Sequence, residues 1–167
     1  MSTPEFSRLV PLARIGAEPF RQQITATEGE REALARRFDL VSLDRLTADI
    51  EVTRQRGDTL LLRASYEATF VQECAVTLDP IEGVLAESFA LCYGPPEAEP
   101  SNPDPEGEAF EPLTSDAVDV GEAVAQEFSL ALPVFPRSPD AAIELDAPVP
   151  EAGPFAALER LIRGPSE

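Results

Sequence analysis

The sequence predicts an α+β fold: an antiparallel sheet built from hairpins, packed with two main helices and a short C-terminal helix. Two stretches of alternating apolar and polar residues flank a Gly57-Asp58 turn, which is typical of a β-hairpin. Two capping signals precede helical patterns, and these helices do not alternate with strands as in βαβ units. A chain of 167 residues suits one domain with its own core, so we expect a single domain over 1–167.

The hairpin is the strongest structural signal and covers residues 45–72. Every second residue is apolar on either side of a turn at 54–58, so one face of both strands is expected to be buried. The apolar positions of the first strand are Leu46, Ala48, Ile50 and Val52, and those of the second are Leu60, Leu62, Ala64, Tyr66, Ala68 and Phe70.

Helix signals occur in three places. Thr27 and Glu30 form a capping-box pattern, which predicts a helix from there to about Phe38. A second helix is predicted to begin after Asp119, with Glu122 three residues on, and to stop at Pro133. Apolar residues between 155 and 162, closed by a Gly-Pro pair, predict the short C-terminal helix.

The remaining segments carry weaker signals. The first 25 residues are expected to be irregular apart from a short edge strand. Residues 84–93 are apolar on both faces, which predicts a central strand covered on both sides. Residues 109–113 are expected to add an edge strand. The acidic, proline-rich stretch 94–108 predicts a disordered loop, and 136–153 also looks loop-like.

The charge is strongly negative and unevenly distributed. The formal net charge is −18, and none of the 13 basic residues is lysine. Residues 1–63 hold ten arginines against ten acids, whereas residues 64–167 hold three arginines against 21 acids. Because such a protein repels phosphate backbones at long range, direct nucleic-acid binding would have to use the arginines of residues 1–63, with the acidic residues 64–167 turned away.

Several function classes are excluded or disfavoured by composition. The sequence contains no histidine, which excludes Ser-His and Cys-His nucleophilic sites and removes the commonest zinc ligand. Its two cysteines, Cys74 and Cys92, are predicted to form neither a disulfide nor a metal site. We therefore expect no enzyme activity, no cofactor and no small-molecule substrate. The chain shows no secretory signal and no membrane-spanning run, so the cytoplasm is the expected location.

The candidate binding residues are arginines, because guanidinium groups pair with phosphates and carboxylates. An alternative is that these side chains simply solvate the surface. The first three below share a helix within two turns, and the last follows a helix-ending Phe-Pro pair. The candidates are Arg31, Arg36, Arg37, Arg54, Arg56 and Arg137.

Five segments of the chain form a pattern when they are taken in order and spacing: Phe6–Val10, Cys74–Ile81, Asp119–Glu127, Phe135–Arg137 and Pro154–Leu158. The acidic stretch 94–108 stands between them as a variable insertion. In this order and spacing the segments resemble the YceD family of large ribosomal RNA subunit accumulation proteins, in particular its alphaproteobacterial branch.

The resemblance implies a non-enzymatic factor supporting accumulation, processing or assembly of large-subunit ribosomal RNA. Its partner would be ribosomal RNA or a ribosome-assembly protein. Many family members carry a Cys-x-x-Cys near Cys74 and a second cysteine pair after the second helix. Here Thr77 replaces one cysteine and 139–147 contains none, so no metal is predicted. The alternative function is an acidic protein-binding module, or a holdase, for a basic ribosomal protein.

Overall fold

The computed structural model describes residues 4–56, 58–98 and 108–141. The predicted C-terminal helix, residues 142–153 and most of the acidic loop lie outside these ranges. The helices are α1 (Glu28–Arg37) and α2 (Val120–Ala131). The strands are β1 (Leu9–Pro11), β2 (Phe20–Thr25), β3 (Ser42–Arg54), β4 (Leu60–Glu73), β5 (Pro80–Gly94), β6 (Ala109–Pro112) and β7 (Ala117–Asp119).

The predicted hairpin is confirmed as the centre of a five-stranded sheet with the order β2-β3-β4-β5-β6. β3 and β4 pair antiparallel from Arg54 opposite Leu60 to Ser42 opposite Val71. All ten apolar positions predicted to share one face are buried, because α1 packs on β3 and α2 packs on β4 at that face. Short strands β1 and β7 pair separately as a two-stranded antiparallel sheet.

Helix α2 packs on the sheet through one aromatic side chain, Phe128, which is fully buried. Its ring lies edge-on to three other rings, 5.9 Å from that of Phe38, 6.3 Å from Tyr66 and 5.7 Å from Phe70. Such edge-to-face pairs add to the free energy of apolar burial. Val124, one turn earlier, and Val120, two turns earlier, are also fully buried, as the helical spacing predicts.

Both ends of α1 are closed by local hydrogen bonds. Thr27 and Glu30 form the predicted capping box, each side chain satisfying the other residue's backbone N–H. At the other end Asp39 takes a left-handed conformation, with φ of 55°. There the N–H of Leu40 donates to the carbonyl of Ala35 at 2.9 Å, closing a Schellman motif. This fixes the carboxylate of Asp39 beside the end of the helix.

Two strand predictions need correction, and the edge strand predicted at 109–113 is confirmed. β5 lies inside the strand order, but β6 pairs with it in parallel over Leu91 to Gly94 only. Over its first eleven residues β5 is therefore an edge strand within the described chain, and Val84 is 74% exposed instead of covered. The predicted edge strand at 109–113 exists, as the parallel strand β6. The first 25 residues hold a second strand that the sequence did not predict, β2, which pairs along β3.

Neither described helix is long and apolar enough to span a membrane.

Candidate functional site

The amino-terminal joint connects Phe6–Arg8 to the start of α2. Asp119, the residue before the helix, accepts hydrogen bonds from the hydroxyl of Ser7 at 2.6 Å and from the backbone N–H of Arg8 at 2.7 Å. The same carboxylate caps α2 by accepting from the N–H of Glu122 at 3.1 Å. One side chain thus caps the helix and holds the front of the chain against it.

Gly121 is required in this joint because the backbone approaches α2 closely. A Cβ atom at this position would overlap the carbonyl oxygen of Phe6 and lie 2.9 Å from the backbone nitrogen of Arg8. Real Cβ atoms essentially never approach backbone atoms so closely, so either the chain or the helix would have to move. The glycine therefore has a packing role here.

Arg8 extends the joint to α1. Its guanidinium pairs with both carboxylate oxygens of Glu30, at 2.6 and 2.9 Å, and donates to the carbonyl of Thr25 at 3.2 Å. It also lies over the ring of Phe6, 4.8 Å from the ring centroid. The hydrogen bond from Arg8 lowers the pKa of Glu30 to about 2. A bidentate pair of this kind fixes orientation as well as adding energy.

Arg37, one of the candidate RNA-binding residues, links the two helices. Its guanidinium donates to both carboxylate oxygens of Glu122, at 2.7 and 3.0 Å, and to Glu5 at 2.9 Å. The side chain of Glu122 is therefore occupied by Arg37 and does not complete a capping box at α2. Arg37 lowers the pKa of Glu122, and the pKa of Arg37 is raised in turn.

Two further candidate arginines also serve the fold. Arg31 of α1 donates a hydrogen bond to the carbonyl of Ala26, which precedes the helix, at 3.0 Å. Arg54 donates to the carbonyls of Ile15 and Leu12 at 3.2 and 3.3 Å, holding the short 3₁₀ turn that follows β1 against the end of β3.

The last three candidates, Arg36, Arg56 and Arg137, are exposed. Within residues 4–56, 58–98 and 108–141 their guanidinium groups form neither a hydrogen bond nor an ion pair. They do not lie together: Arg56 is at the tip of the β3–β4 hairpin, whereas Arg137 follows α2 near the other end of β4. The structure thus does not gather the six predicted residues into one site.

A tight turn after β4 is organised around the sulfur of Cys74. The thiol is buried, and its Sγ accepts from the backbone N–H of Ser138 at 3.4 Å and of Thr77 at 3.5 Å. The N–H of Ser138, and then Thr77, lower the pKa of Cys74 to about 6. The N–H of Ala75 donates to the carbonyl of Pro136 at 2.8 Å, so this turn anchors the segment after α2. In the described part of the chain, no three potential metal-ligating side chains converge.

A groove of about 440 Å³, here called the Pro133 groove, lies where α2 ends. Val134, which lines it, is 82% exposed, and Phe135 beside it is 76% exposed. Leu130 in the last turn of α2 is 78% exposed. Residues that line the groove include Phe38, Asp39, Glu73, Leu132, Val134 and Pro136.

Sequence reasoning considered residues 135–137 only for the arginine and missed the groove. The available signal was the apolar pair Val134-Phe135, which follows the helix-ending Pro133 and so lies beyond the last turn of α2. The joint was also missed, because its partners are far apart in sequence. Arg37 and Glu122 are 85 positions apart.

The comparisons with known proteins give one match. The family model for the large ribosomal RNA subunit accumulation protein YceD matches residues 62–161. This range includes four of the five segments on which the resemblance was based, and it covers more than half of the chain. No curated protein and no solved structure matches.

Proposed function

Since the chain belongs to the YceD family, we propose that it supports the accumulation of large-subunit ribosomal RNA as a non-enzymatic factor that binds a protein partner. The family description supplies the link to ribosomal RNA. The choice of a protein partner over direct RNA contact rests on how the arginines are used. We place this action in the cytoplasm, as expected from the sequence.

The observation that carries the proposal is that most described arginines are engaged within the fold. The candidates Arg31, Arg37 and Arg54 hold backbone carbonyls or carboxylates. Others contact acids or an aromatic ring, with Arg21 against Glu51 as an example at 2.7 Å. To neutralise a phosphate, Arg37 would have to give up its part-buried bidentate pair with Glu122, which is unfavourable, whereas an exposed pair such as that of Arg21 costs little to break.

Of the three remaining candidates, Arg56 lies far from Arg137. The hairpin tip carrying Arg56 and the Cys74 turn beside Arg137 lie at opposite ends of β4, which has 14 residues. At about 3.4 Å per residue this is a separation of roughly 45 Å. Exposed arginines this far apart on a protein of net charge −18 are a poor match for RNA.

The same charge suits a basic partner. An acidic surface attracts a cationic protein over distances comparable to the Debye length, about 8–10 Å at physiological salt, and raises the rate of encounter. Many proteins that contact ribosomal RNA need such a positive surface, since phosphate neutralisation supplies much of their affinity. We therefore propose a basic ribosomal or assembly protein as the partner.

The test uses a triple variant, Arg36→Gln, Arg56→Gln and Arg137→Gln, in a host that lacks its own copy of the gene. Because these side chains make no described contact, the variant should fold normally. We expect the ratio of large- to small-subunit ribosomal RNA to match that of the wild-type chain. Loss of accumulation with normal unfolding free energy and protein level would favour direct RNA contact and overturn the proposal.

A second arm concerns the partner itself. Captured full-length protein is treated with ribonuclease and then washed with increasing salt. We expect a basic protein to remain bound after ribonuclease and to dissociate as salt rises, because the attraction is electrostatic. Loss of every bound protein on ribonuclease treatment would contradict a protein partner and indicate association through RNA.

A further inference from the structure

The first part of β5, residues 80–90, has an open backbone edge. Within residues 4–56, 58–98 and 108–141, β4 pairs along one side of this part and no strand pairs along the other, since β6 begins opposite Leu91. Such an edge is a place where another chain can add a strand, and natural edges are commonly blocked by lysine, proline or a β-bulge. β5 contains no lysine and no proline after Pro80, and it pairs with β4 without a register shift.

Hydrogen bonds at both ends of β5 show which of its backbone groups face outward. The carbonyl of Gly94 accepts from the N–H of Leu113, just after β6, at 2.7 Å, so it points away from β4. Before the other end, the carbonyl of Asp79 accepts from the N–H of Cys74 at 2.8 Å, so it points to the side of β4. Because these groups alternate along a paired strand, the even-numbered residues of β5 direct their N–H and carbonyl groups outward. Those in the open part are Glu82, Val84, Ala86, Ser88 and Ala90.

Apolar side chains lie along this edge on both faces of the sheet. Val84, at 74% exposure, and Ala86 are exposed on the face that neither described helix covers. On the other face, Leu85 and Phe89 pack against the core and keep part of their surface exposed. An added strand would cover apolar surface on both faces, which is the environment that the sequence of this strand predicts.

The charges at the edge favour a basic partner over a second copy of this chain. β5 carries Glu82 and Glu87 along the open part and no basic residue. A hollow of about 370 Å³ that reaches this edge is also lined by Asp49 and Glu67, against one arginine, Arg45. Pairing two copies here would bring like charges together, whereas a segment with lysine or arginine side chains would pair with the carboxylates.

We propose that the basic protein partner binds at the open edge of β5, where an extended segment of the partner adds a strand to the sheet. Backbone hydrogen bonds to the outward groups supply affinity in this mode of recognition, and alternate side chains supply specificity. The basic side chains of the segment lie beside Glu82 and Glu87. The inference rests on the proposed function for the class of partner and adds to it the surface and the mode of binding.

The test changes Ala86, which has an outward N–H and an exposed side chain. Ala86→Pro removes this N–H and keeps the pairing with β4, since proline is accepted in an edge strand where the N–H faces away from the sheet. Ala86→Ser, which retains the N–H, is the matched control. The probe is a fluorescently labelled peptide of alternating valine and lysine, long enough to cover residues 82–90, and its anisotropy is followed with full-length protein. We expect wild-type protein and Ala86→Ser to bind equally, and Ala86→Pro to bind about tenfold more weakly. Equal binding by all three would mean that net charge alone holds the peptide, and would overturn the proposal.

Amide hydrogen exchange in the wild-type protein, followed by nuclear magnetic resonance, tests the edge without a substitution. In the free protein the amides of Val84, Ala86 and Ser88 should exchange fast, and those of Leu85 and Glu87, which face β4, slowly. The peptide should slow exchange of the first three. Slow exchange of Val84 and Ala86 in the free protein would mean that the edge is already covered, and would overturn the proposal. Dilution then identifies what covers it, because a second copy is lost on dilution and another part of the same chain is not.

The capture experiment separates this inference from the proposed function. If wild-type protein retains a basic protein after ribonuclease, Ala86→Pro should lose it and Ala86→Ser should keep it. Retention by Ala86→Pro would overturn the inference and leave the proposed function standing. Loss of every bound protein from the wild type would overturn the proposed function, and the peptide and exchange measurements would still decide whether the edge accepts a basic strand.

Discussion

The two ends of α2 differ in how far their side chains are in contact with the rest of the protein. At the start, Asp119, Glu122 and Gly121 meet the front of the chain and α1 through short hydrogen bonds and close backbone contact. At the end, Leu130 and Val134 remain largely exposed around a groove. Charged side chains at the start of α2 thus stabilise the fold, whereas apolar side chains at its end are exposed and available for binding. For this chain, the positions of the arginines are therefore a poor guide to the binding surface.

Of the substitutions at the start of α2, Gly121→Ala is expected to have the largest effect. The added methyl group collides with backbone atoms of Phe6 and Arg8, and we expect a loss of about 2–4 kcal/mol of unfolding free energy. Gly29→Ala in α1 is the matched control, since nothing lies within 4 Å of its Cβ position. It should be neutral or stabilise by up to about 1 kcal/mol. Equal effects in urea unfolding would show that the joint is not tightly packed.

The next effect distinguishes two neighbouring arginines of α1. Arg37→Gln removes the bidentate pair with Glu122 and the contact with Glu5, and should cost about 1–2 kcal/mol. Arg36→Gln, one residue away, should change stability by less than about 0.5 kcal/mol. A double-mutant cycle of Arg37→Gln with Glu122→Gln should give a coupling of about 1 kcal/mol. Identical costs for both arginines would contradict the structural role of Arg37.

These comparisons also show what the sequence could and could not reveal. The Thr27 capping box, the hairpin and the start of α2 at Asp119 were predictable because their partners lie within a few residues or follow a strict period. β2 was missed because only Phe20 and Ile24 of its six residues are strongly apolar, and its pairing with β3 is long-range.

The exposure of Val84 could not be predicted either. Apolar residues on both faces of a strand indicate burial only if another element packs on each face, and within the described residues both helices pack on the face of the sheet opposite to Val84. The structural roles of Arg8 and Arg37 likewise depend on acids far along the chain. The sequence could therefore predict that arginines are the candidate binding residues. It could not predict which of these arginines hold the fold together and which are exposed.

A smaller effect concerns pH. Arg8 lowers the pKa of Glu30 to about 2, so this carboxylate stabilises the folded state above its unfolded pKa of about 4.3. That contribution is lost as the pH falls from about 4.3 towards 2. The difference in unfolding free energy between the wild-type chain and Glu30→Gln should shrink over this range. A difference that stays constant would show that the Arg8–Glu30 pair does not contribute to stability.

The smallest effect is expected at the exposed end of α2. Leu130 is 78% exposed, so Leu130→Gln should change the unfolding free energy by less than about 0.5 kcal/mol. Phe128→Ala, two residues earlier on the buried face, should cost about 3–5 kcal/mol. A large loss for Leu130→Gln in chemical unfolding would mean that this end of the helix is covered and that the contrast between the two ends is wrong.

RNA binding by the purified full-length protein tests the central claim most directly, that its arginines serve the fold and not RNA. Fluorescence anisotropy with labelled large-subunit ribosomal RNA fragments would be followed at about 50 and 200 mM salt, the range over which phosphate contacts weaken steeply. We predict no saturable binding at either salt concentration. Saturable binding at low salt that falls steeply at high salt, and disappears in the Arg36→Gln, Arg56→Gln, Arg137→Gln variant, would contradict the account.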